Sequence, residues 1–289
     1  MIKETEKNKI SASTLYLVAT PIGNLADISE RAIKTLSEVD FIAAEDTRNS
    51  LRLLNYFGIS KPLVSYYEHN KRERGEEIIA RLLGGESCAL ITDAGTPAIS
   101  DPGEDLVRLC AENGVAVTSI PGACAMVNAL ALSALPTARF VFEGFLPVQK
   151  KQRRERLKEL SAEKRTFILH EAPHKLKTTL ADLAQALGGE RKIALCRELT
   201  KLNEEILRTT IADACAIYEE REPRGEYVLV IEGQSEDVCE EDVPVSVEEL
   251  RKEVDMRISD GMSKNAAIKA VAEAHGMTRN VLYGLLIEK

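Results

Sequence analysis

The sequence predicts an α/β fold, built as two layered α/β halves followed by a small all-helical segment. Three observations carry that expectation. Short apolar runs alternate with stretches whose apolar residues recur every three or four positions, the pattern of strands feeding amphipathic helices. Several apolar runs end in loops dense in glycine and proline, which neither helix nor strand accommodates. An acidic stretch, 234–243, then separates this alternation from a tail with helical spacing only.

In chain order, residues 1–12 are polar and charged and read as a frayed end. Residues 15–19 form an apolar strand, and Ala32, Ile33 and Leu36 mark one face of the helix that follows. Residues 41–44 are a short strand. Leu51, Leu54 and Phe57 mark a helix stopped at Gly58. A strand at 88–92, a helix at 104–112, a strand at 115–120 and an Ala-rich helix at 123–134 continue the βα alternation of a mostly parallel sheet. The pattern then restarts, with strands at 139–142, 166–170, 192–196 and 227–231 and helices near 151–162, 174–187 and 210–220. Past the acidic linker, Ser246 and Glu249 have capping-box spacing. Val247, Leu250, Val254 and Ile258 give a first tail helix, Ile268, Val271 and Ala274 a second, and Val281, Leu282, Leu285 and Leu286 a third. Two short helices joined by His275-Gly276-Met277-Thr278 have a helix-turn-helix pattern, equally compatible with a helical cap on the main body. The expected division is 13–123, 124–233 and 244–289.

Of 289 residues, 44% are hydrophobic, enough for a core and too many for a disordered chain. No apolar run approaches the ~20 residues of a membrane-spanning helix, and the first nine residues lack a secretory signal, so a cytoplasmic protein with reduced thiols is expected. The cysteines at 88, 110, 124, 196, 215 and 239 form no CxxC pair, and the four histidines have no ligand spacing, so no metal is expected. The net charge of −8 argues against indiscriminate coating of nucleic acid. Its distribution says something different. Residues 234–255 alone carry −7, while 150–158 carry +5, and Lys71, Arg72 and Arg74 make a second basic cluster. Local positive charge is what phosphate contacts require, although 150–158 also reads as a solvated helix face.

Chemistry is expected where strands end. Ala19-Thr20-Pro21-Ile22-Gly23-Asn24-Leu25 follows the first strand, and Thr92 to Gly103 follows the strand at 88–92. Pro121-Gly122-Ala123-Cys124-Ala125 follows the strand at 115–120 and opens a helix of small residues. The carboxyl edge of a parallel sheet is where open α/β folds bind ligands. None of the three loops contains Lys or Arg, and none is GxGxxG. A ligand held largely by backbone, such as a nucleoside without a phosphate chain, suits them better than ATP or NAD.

These stretches closely resemble the tetrapyrrole-methylase-like superfamily of S-adenosylmethionine-dependent methyltransferases. The resemblance rests on 17–25, 43–48, 93–97 with 100–103, 121–125, 143–147, 197–201 and 225–233. It is strongest to the branch acting on small-subunit ribosomal RNA. It implies two α/β domains of the tetrapyrrole methylase type with S-adenosylmethionine between them, and a homodimer. It implies transfer of a methyl group to the ribose 2′-hydroxyl of a cytidine in the decoding centre of 16S ribosomal RNA, with that RNA as partner. By motif position, Pro21, Asp93, Gly95, Thr96, Pro97, Cys124 and Ala125 are expected at the cofactor, with the Glu171-Ala172 and Gly225-Glu226 loops closing over it. The family often has Ser or Thr where Cys124 stands.

A ribose hydroxyl is a weak nucleophile, so a base or an orienting charge is expected. Glu45, Arg48 and His69 are the catalytic candidates. Glu45 and Arg48, at i,i+3 near a helix start, also fit an ion-pair and capping role. Asn70, Arg74, Lys150, Lys151, Arg153 and Arg154 are expected at the RNA. Two alternatives share the fold. A methylase of a small tetrapyrrole would be expected to lack the basic 150–158 stretch and the helical tail. A non-catalytic RNA-binding assembly factor would not bind S-adenosylmethionine.

Overall fold

The computed structural model describes residues 9–234, 247–259, 261–274, 282, 283 and 286. Two units separate, residues 1–234 and residues 235–289.

In the first unit the chain runs β1 (Thr14–Val18), α1 (Glu30–Glu38), β2 (Phe41–Ala44), α2 (Thr47–Tyr56), β3 (Leu63–Ser65), α3 (Lys71–Leu83), β4 (Cys88–Ile91), α4 (Gly103–Glu112) and β5 (Ala116–Ile120). These strands form one sheet in the order β3-β2-β4-β1-β5, every pair parallel. Side chains alternate across it. Leu15, Phe41, Ala43, Cys88 and Leu90 pack with Ile78 and Leu82 of α3 and Leu106 of α4. Tyr16, Val18, Ile42, Ala44 and Ile91 pack with Leu36 of α1 and Leu54 of α2 on the other face. Burial on both faces is why these strands read as unbroken apolar runs. Because all five are parallel, their carboxyl ends share one edge.

The chain continues through α5 (Ala125–Leu132), β6 (Phe140–Gly144), α6 (Lys150–Ser161), β7 (Thr166–Glu171), α7 (Pro173–Leu187), β8 (Lys192–Arg197), β9 (Glu205–Thr210), α8 (Ile211–Glu220) and β10 (Tyr227–Ile231). The second sheet has the order β6-β7-β10-β8-β9. Only β6 and β7 are parallel; the other pairs are antiparallel. Helices α6, α7 and α8 cover one face through Leu157, Leu160, Leu176, Leu180, Leu183 and Ile211. Helix α5 leaves the first sheet but packs its Ala129 and Leu130 on Ile168, Ala194, Cys196 and Val230 of the second, where Ile22 from the β1 loop joins them. This shared apolar cluster welds the two sheets together and fixes the cleft between them.

The predicted α/β class is what the structure shows, and three elements exceed the sequence reading. Helix α3 begins in what reads as a charged loop, and its Gly75 obscures the pattern. A Cβ at Gly75 would come within 2.8 Å of Leu109 Cδ1, so the residue is small to let α3 and α4 approach. Strands β3 and β9 are edge strands, half-buried throughout or nearly so, and lack the long apolar run of the inner strands.

In the second unit, α9 (Val247–Ser259) and α10 (Lys264–Ala274) bury Leu250, Val254, Ala267, Ile268 and Val271 against each other, and Leu282 joins the same cluster. Gly261, at φ +97°, makes the turn between them, where Met262 N donates to Arg257 O at 3.1 Å. The acidic linker, Ser246, the side chain of Glu249 and the turn at 275–278 lie outside the described residues, as does most of the expected third helix. No helix among the described residues is long and apolar enough to cross a membrane.

Candidate functional site

The site is assembled at the carboxyl edge of the first sheet, facing the second. Adjacent strands β4, β1 and β5 bring their three loops together, and specific bonds fix them. Gly95 and Thr20 exchange both backbone hydrogen bonds, at 2.9 and 3.0 Å, which ties the β4 loop to the β1 loop. Thr96 Oγ1 donates to Ala123 O at 3.0 Å, tying it to the β5 loop. A Cβ at Gly122 would sit 2.8 Å from Ala19 Cβ, so the β1 and β5 loops touch directly. Asp101 Oδ1 accepts from Ala98 N at 3.0 Å and Gly103 N at 2.7 Å, and the left-handed Ala98 and Ser100 (φ +66° and +62°) complete a tight turn. The Tyr66 hydroxyl donates to Pro102 O at 3.1 Å from beneath, and burial raises its pKa to about 12.

Two cavities open on this edge. The larger, about 410 Å3, lies between the halves. Ile22, Ala94 and Ala125 line it from the first-sheet loops and α5; Phe145, His170, Glu171, Ala172, Leu199, Lys201 and Glu226 line it from the second half. Its volume falls in the range of about 300–1,000 Å3 typical of small-molecule sites. The smaller, about 330 Å3, is lined by Thr20, Pro21, Asn49, Arg52, Thr92 and Asp93.

Of the residues expected at the cofactor, Ala125 lines the larger cavity and Pro21 and Asp93 the smaller. Gly95 and Thr96 supply the frame through the bonds above, and Pro97 is buried beside them. Cys124 is the N-cap of α5 without a side-chain capping bond. The thiol therefore leaves undone the capping that a Ser or Thr hydroxyl performs.

Three cavity residues escape residue-level reading, Phe145, His170 and Lys201, while Glu171, Ala172 and Glu226 line the cavity from the loops expected to close over it. Phe145, Lys201 and Glu226 lie inside stretches that carry the family resemblance, and His170 directly precedes Glu171, but none announces a ligand by spacing. The edges of Phe142 and Phe145 pack on the His170 ring at centroid distances of 5.2 and 5.7 Å. Burial holds its pKa below the ordinary histidine value, against the pull of Glu226. The imidazole is thus neutral at pH 7, and its buried Nε2 has no hydrogen-bond partner within the protein. Lys201 Nζ bridges Glu198 at 2.9 Å and Glu226 at 2.8 Å. Burial opposes the ammonium, and the two carboxylates more than offset it, so its pKa stands above the ordinary value. Cys196 also lines the cavity, but burial pushes its thiol up to about 11, which keeps it from acting as a nucleophile.

The catalytic candidates are arranged differently from their sequence spacing. Arg48 pairs with Asp46, not Glu45: Asp46 caps α2, and its carboxylate accepts from Arg48 N at 2.8 Å and from the guanidinium at 2.9 Å. Those bonds hold the Asp46 pKa at about 2. Glu45 instead accepts from Thr92 Oγ1 at 2.7 Å, reaching across to the end of β4. The i,i+3 ion-pair reading gives way because Asp46, two residues from Arg48, supplies a cap and a two-point clamp together. His69 lies exposed in the β3–α3 turn.

The substrate candidates divide as well. Asn70 is spent on its turn, accepting from Tyr67 N at 2.8 Å and donating to Ser65 O at 3.1 Å. Arg74 pairs with Glu77, and Lys71 with Glu68 and Asp105. Arg153 is held by Asp182 at 2.6 Å and Thr179 at 2.8 Å. Lys150, Lys151 and Arg154 form no ion pair among the described residues. No group of three or more His, Cys, Asp or Glu able to hold a metal occurs there either.

Two α/β layers joined by a helix, with loop-lined space between them and a buried, neutral imidazole in its wall, define a ligand-binding α/β architecture. The chain belongs to the tetrapyrrole methylase family, the S-adenosylmethionine-dependent methyltransferases whose model, tetrapyrrole (corrin/porphyrin) methylases, matches residues 14–215. It is similar over nearly its whole length to proteins named ribosomal RNA small subunit methyltransferase I. The one from Synechocystis sp. is 47% identical over 275 residues, covering 95% of this chain and 97% of the relative. That from Halalkalibacterium halodurans is 47% identical over 283 residues, covering 98% of each. Among solved structures, a Thermus thermophilus uroporphyrin-III C-methyl transferase complexed with S-adenyl homocysteine superposes with a TM-score of 0.52. It is 16% identical and covers 76% of this chain and 97% of that one, which shows the shared fold.

Proposed function

We propose that the protein methylates the ribose 2′-hydroxyl of a cytidine in the decoding centre of 16S ribosomal RNA, using S-adenosylmethionine. The observation that carries this reading is near-full-length similarity to ribosomal RNA small subunit methyltransferases, joined to a cleft whose residues fit the cofactor. The fit rests on the chain itself. Three strand-end loops that themselves carry no Lys or Arg present backbone groups at the cleft, and Lys201 of the opposite wall is already bonded to Glu198 and Glu226, which suits a nucleoside carrying an amino-acid chain better than a phosphate chain. In this reading Pro21, Asp93, Gly95, Thr96, Pro97, Cys124 and Ala125 shape one wall and Glu171, Ala172 and Glu226 the other. The two sheets act as domains 13–123 and 124–233, with 244–289 as an accessory helical segment.

When bound, S-adenosylmethionine supplies an electrophilic methyl group on a sulfonium. The chain's own task is alignment and removal of water, which contributes roughly 7–11 kcal/mol in well-oriented reactions. Strand order favours one of the two proton acceptors. Strands lie about 4.8 Å apart, so β2, which Glu45 directly follows, is about 10 Å from β1, while β3, leading to His69, is about 15 Å away. We assign the proton to Glu45, whose Oε2 is steadied by Thr92, a residue lining the smaller cavity. Arg48, whose side chain is 88% exposed at the start of α2, is assigned to the substrate backbone. Lys150, Lys151 and Arg154 serve the same purpose from α6.

A cytoplasmic homodimer belongs to the same reading. The test is incubation with methyl-labelled S-adenosylmethionine and small ribosomal subunits from cells lacking this activity. Label should enter 16S RNA, and an unlabelled RNA would overturn the proposal.

A further inference from the structure

A third cavity, of about 700 Å3, lies outside the cleft, along the groove between α6 and α7. Its floor is apolar, including Leu146 and Leu157, and its walls are basic. Lys150, Arg154 and Lys158 stand at i, i+4 and i+8, one stripe along α6 with about 6 Å of rise between neighbours. Lys175 faces them from α7. None of these four forms an ion pair among the described residues. The one carboxylate lining the groove, Asp182, is already neutralised by Arg153. Among the described residues the positive charge of this groove is therefore uncompensated.

The groove adjoins the cleft. Phe145 lines the cleft and the next two residues line the groove; Ala172 and Pro173 line the cleft and the two after them line the groove. A hydrogen-bonded path also runs between them. Arg153 donates to Thr179 Oγ1 at 2.8 Å, Thr179 donates to Glu171, and Glu171 Oε1 accepts from Ala172 N at 2.9 Å at the cleft wall.

We infer that the α6–α7 groove holds a single-stranded stretch of the substrate RNA flanking the nucleotide that is methylated. The inference rests on the function proposed above and adds where the strand lies. Three evenly spaced cations along one helix match a phosphodiester backbone, and the apolar floor accepts the faces of unstacked bases. An acidic peptide would need the charges but would leave that floor unexplained.

The test uses the full chain with two triple variants, K150E/R154E/K158E and the neutral K150Q/R154Q/K158Q, which guards against misfolding by charge reversal. Fluorescence anisotropy measures affinity for a labelled single-stranded RNA oligonucleotide across a salt series. Calorimetry measures S-adenosylmethionine affinity as a folding control. Both variants should bind the RNA at least tenfold more weakly at 0.15 M salt. The slope of log affinity against log salt should fall by about 2, three phosphates at about 0.7 each for single strands. S-adenosylmethionine affinity should stay unchanged, and on small subunits KM should rise with kcat kept. Unchanged RNA affinity and slope in both variants overturn the inference. Unchanged affinity for free RNA with lost binding to subunits also overturns it, in favour of an acidic protein partner. If wild-type protein binds the oligonucleotide through the groove yet transfers no methyl group to RNA, the proposed function fails and the groove assignment stands.

Discussion

Replacing Gly95 with alanine probes the loop that ties the first sheet's strand ends together. Gly95 sits at φ +83°, and both its N–H and its C=O are bonded to Thr20. An alanine there either accepts the left-handed conformation, at about 1–2 kcal/mol, or gives up two backbone hydrogen bonds worth about 0.5–1.5 kcal/mol each. Strain of about 1–2 kcal/mol is therefore unavoidable. The new methyl would also stand 3.3 Å from Ile22 Cγ2, and Ile22 lines the larger cavity. If the bound state needs this loop geometry, 1–2 kcal/mol corresponds to roughly 5–30-fold weaker binding of S-adenosylmethionine. Isothermal titration calorimetry measures it. Gly114→Ala is the control: φ is +68° and nothing lies within 4 Å, so it carries similar strain at the opposite end of the sheet. It should lower Tm while leaving affinity intact. Binding by Gly95→Ala within twofold of wild type would refute the placement of the cofactor against this loop.

Three further outcomes are expected. Glu45→Gln should lower kcat by roughly 10²–10⁴, the usual contribution of a general base, with S-adenosylmethionine affinity unchanged; a wild-type kcat would return the proton to another group. Burial keeps His170 neutral in the fold, whereas the unfolded chain protonates it near its ordinary pKa of 6.5, so its contribution to stability is complete above that value and declines as pH falls below it. Tm measured from pH 8 to 5 should accordingly drop more steeply for wild type than for His170→Phe, and parallel curves would contradict this. Gly233→Ala would place a Cβ 2.1 Å from Lys164 O, so the backbone at the end of β10 must shift; a destabilisation of about 1–3 kcal/mol by chemical denaturation is expected, and an unchanged midpoint would show that the contact relaxes freely.

Much of the fold was legible because both sheets bury their inner strands on both faces, leaving apolar runs such as Cys88–Ile91 and Tyr227–Ile231 that sequence pattern detects. What escaped was half-buried or interrupted: edge strands β3 and β9, and α3 with Gly75 in its middle. The strand-end loops were legible for a physical reason too. Glycine and proline concentrate where backbone must turn sharply, as at Gly95 and Gly122. The second wall of the cleft was legible only through the Glu171-Ala172 and Gly225-Glu226 loops, because the rest of it is built by tertiary contact. Phe145, His170 and Lys201 come from three separate segments, and no local spacing records that they meet. Charge misled in a similar way. Lys71, Arg74 and Arg153 look like free cations in sequence, yet each finds a carboxylate only after folding. Lys150, Arg154 and Lys158 find no carboxylate among the described residues, and that difference could be seen only in three dimensions.

The central claim is that this cleft directs a methyl group onto a ribose oxygen of small-subunit RNA. It is tested most directly by the position of the label. After reaction with methyl-labelled S-adenosylmethionine, the 16S RNA is hydrolysed with alkali, which cannot cleave the phosphodiester beside a 2′-O-methylated ribose. The account predicts label in an alkali-resistant dinucleotide that yields 2′-O-methylcytidine on further digestion. Label released in single nucleotides carrying a methylated base would contradict it.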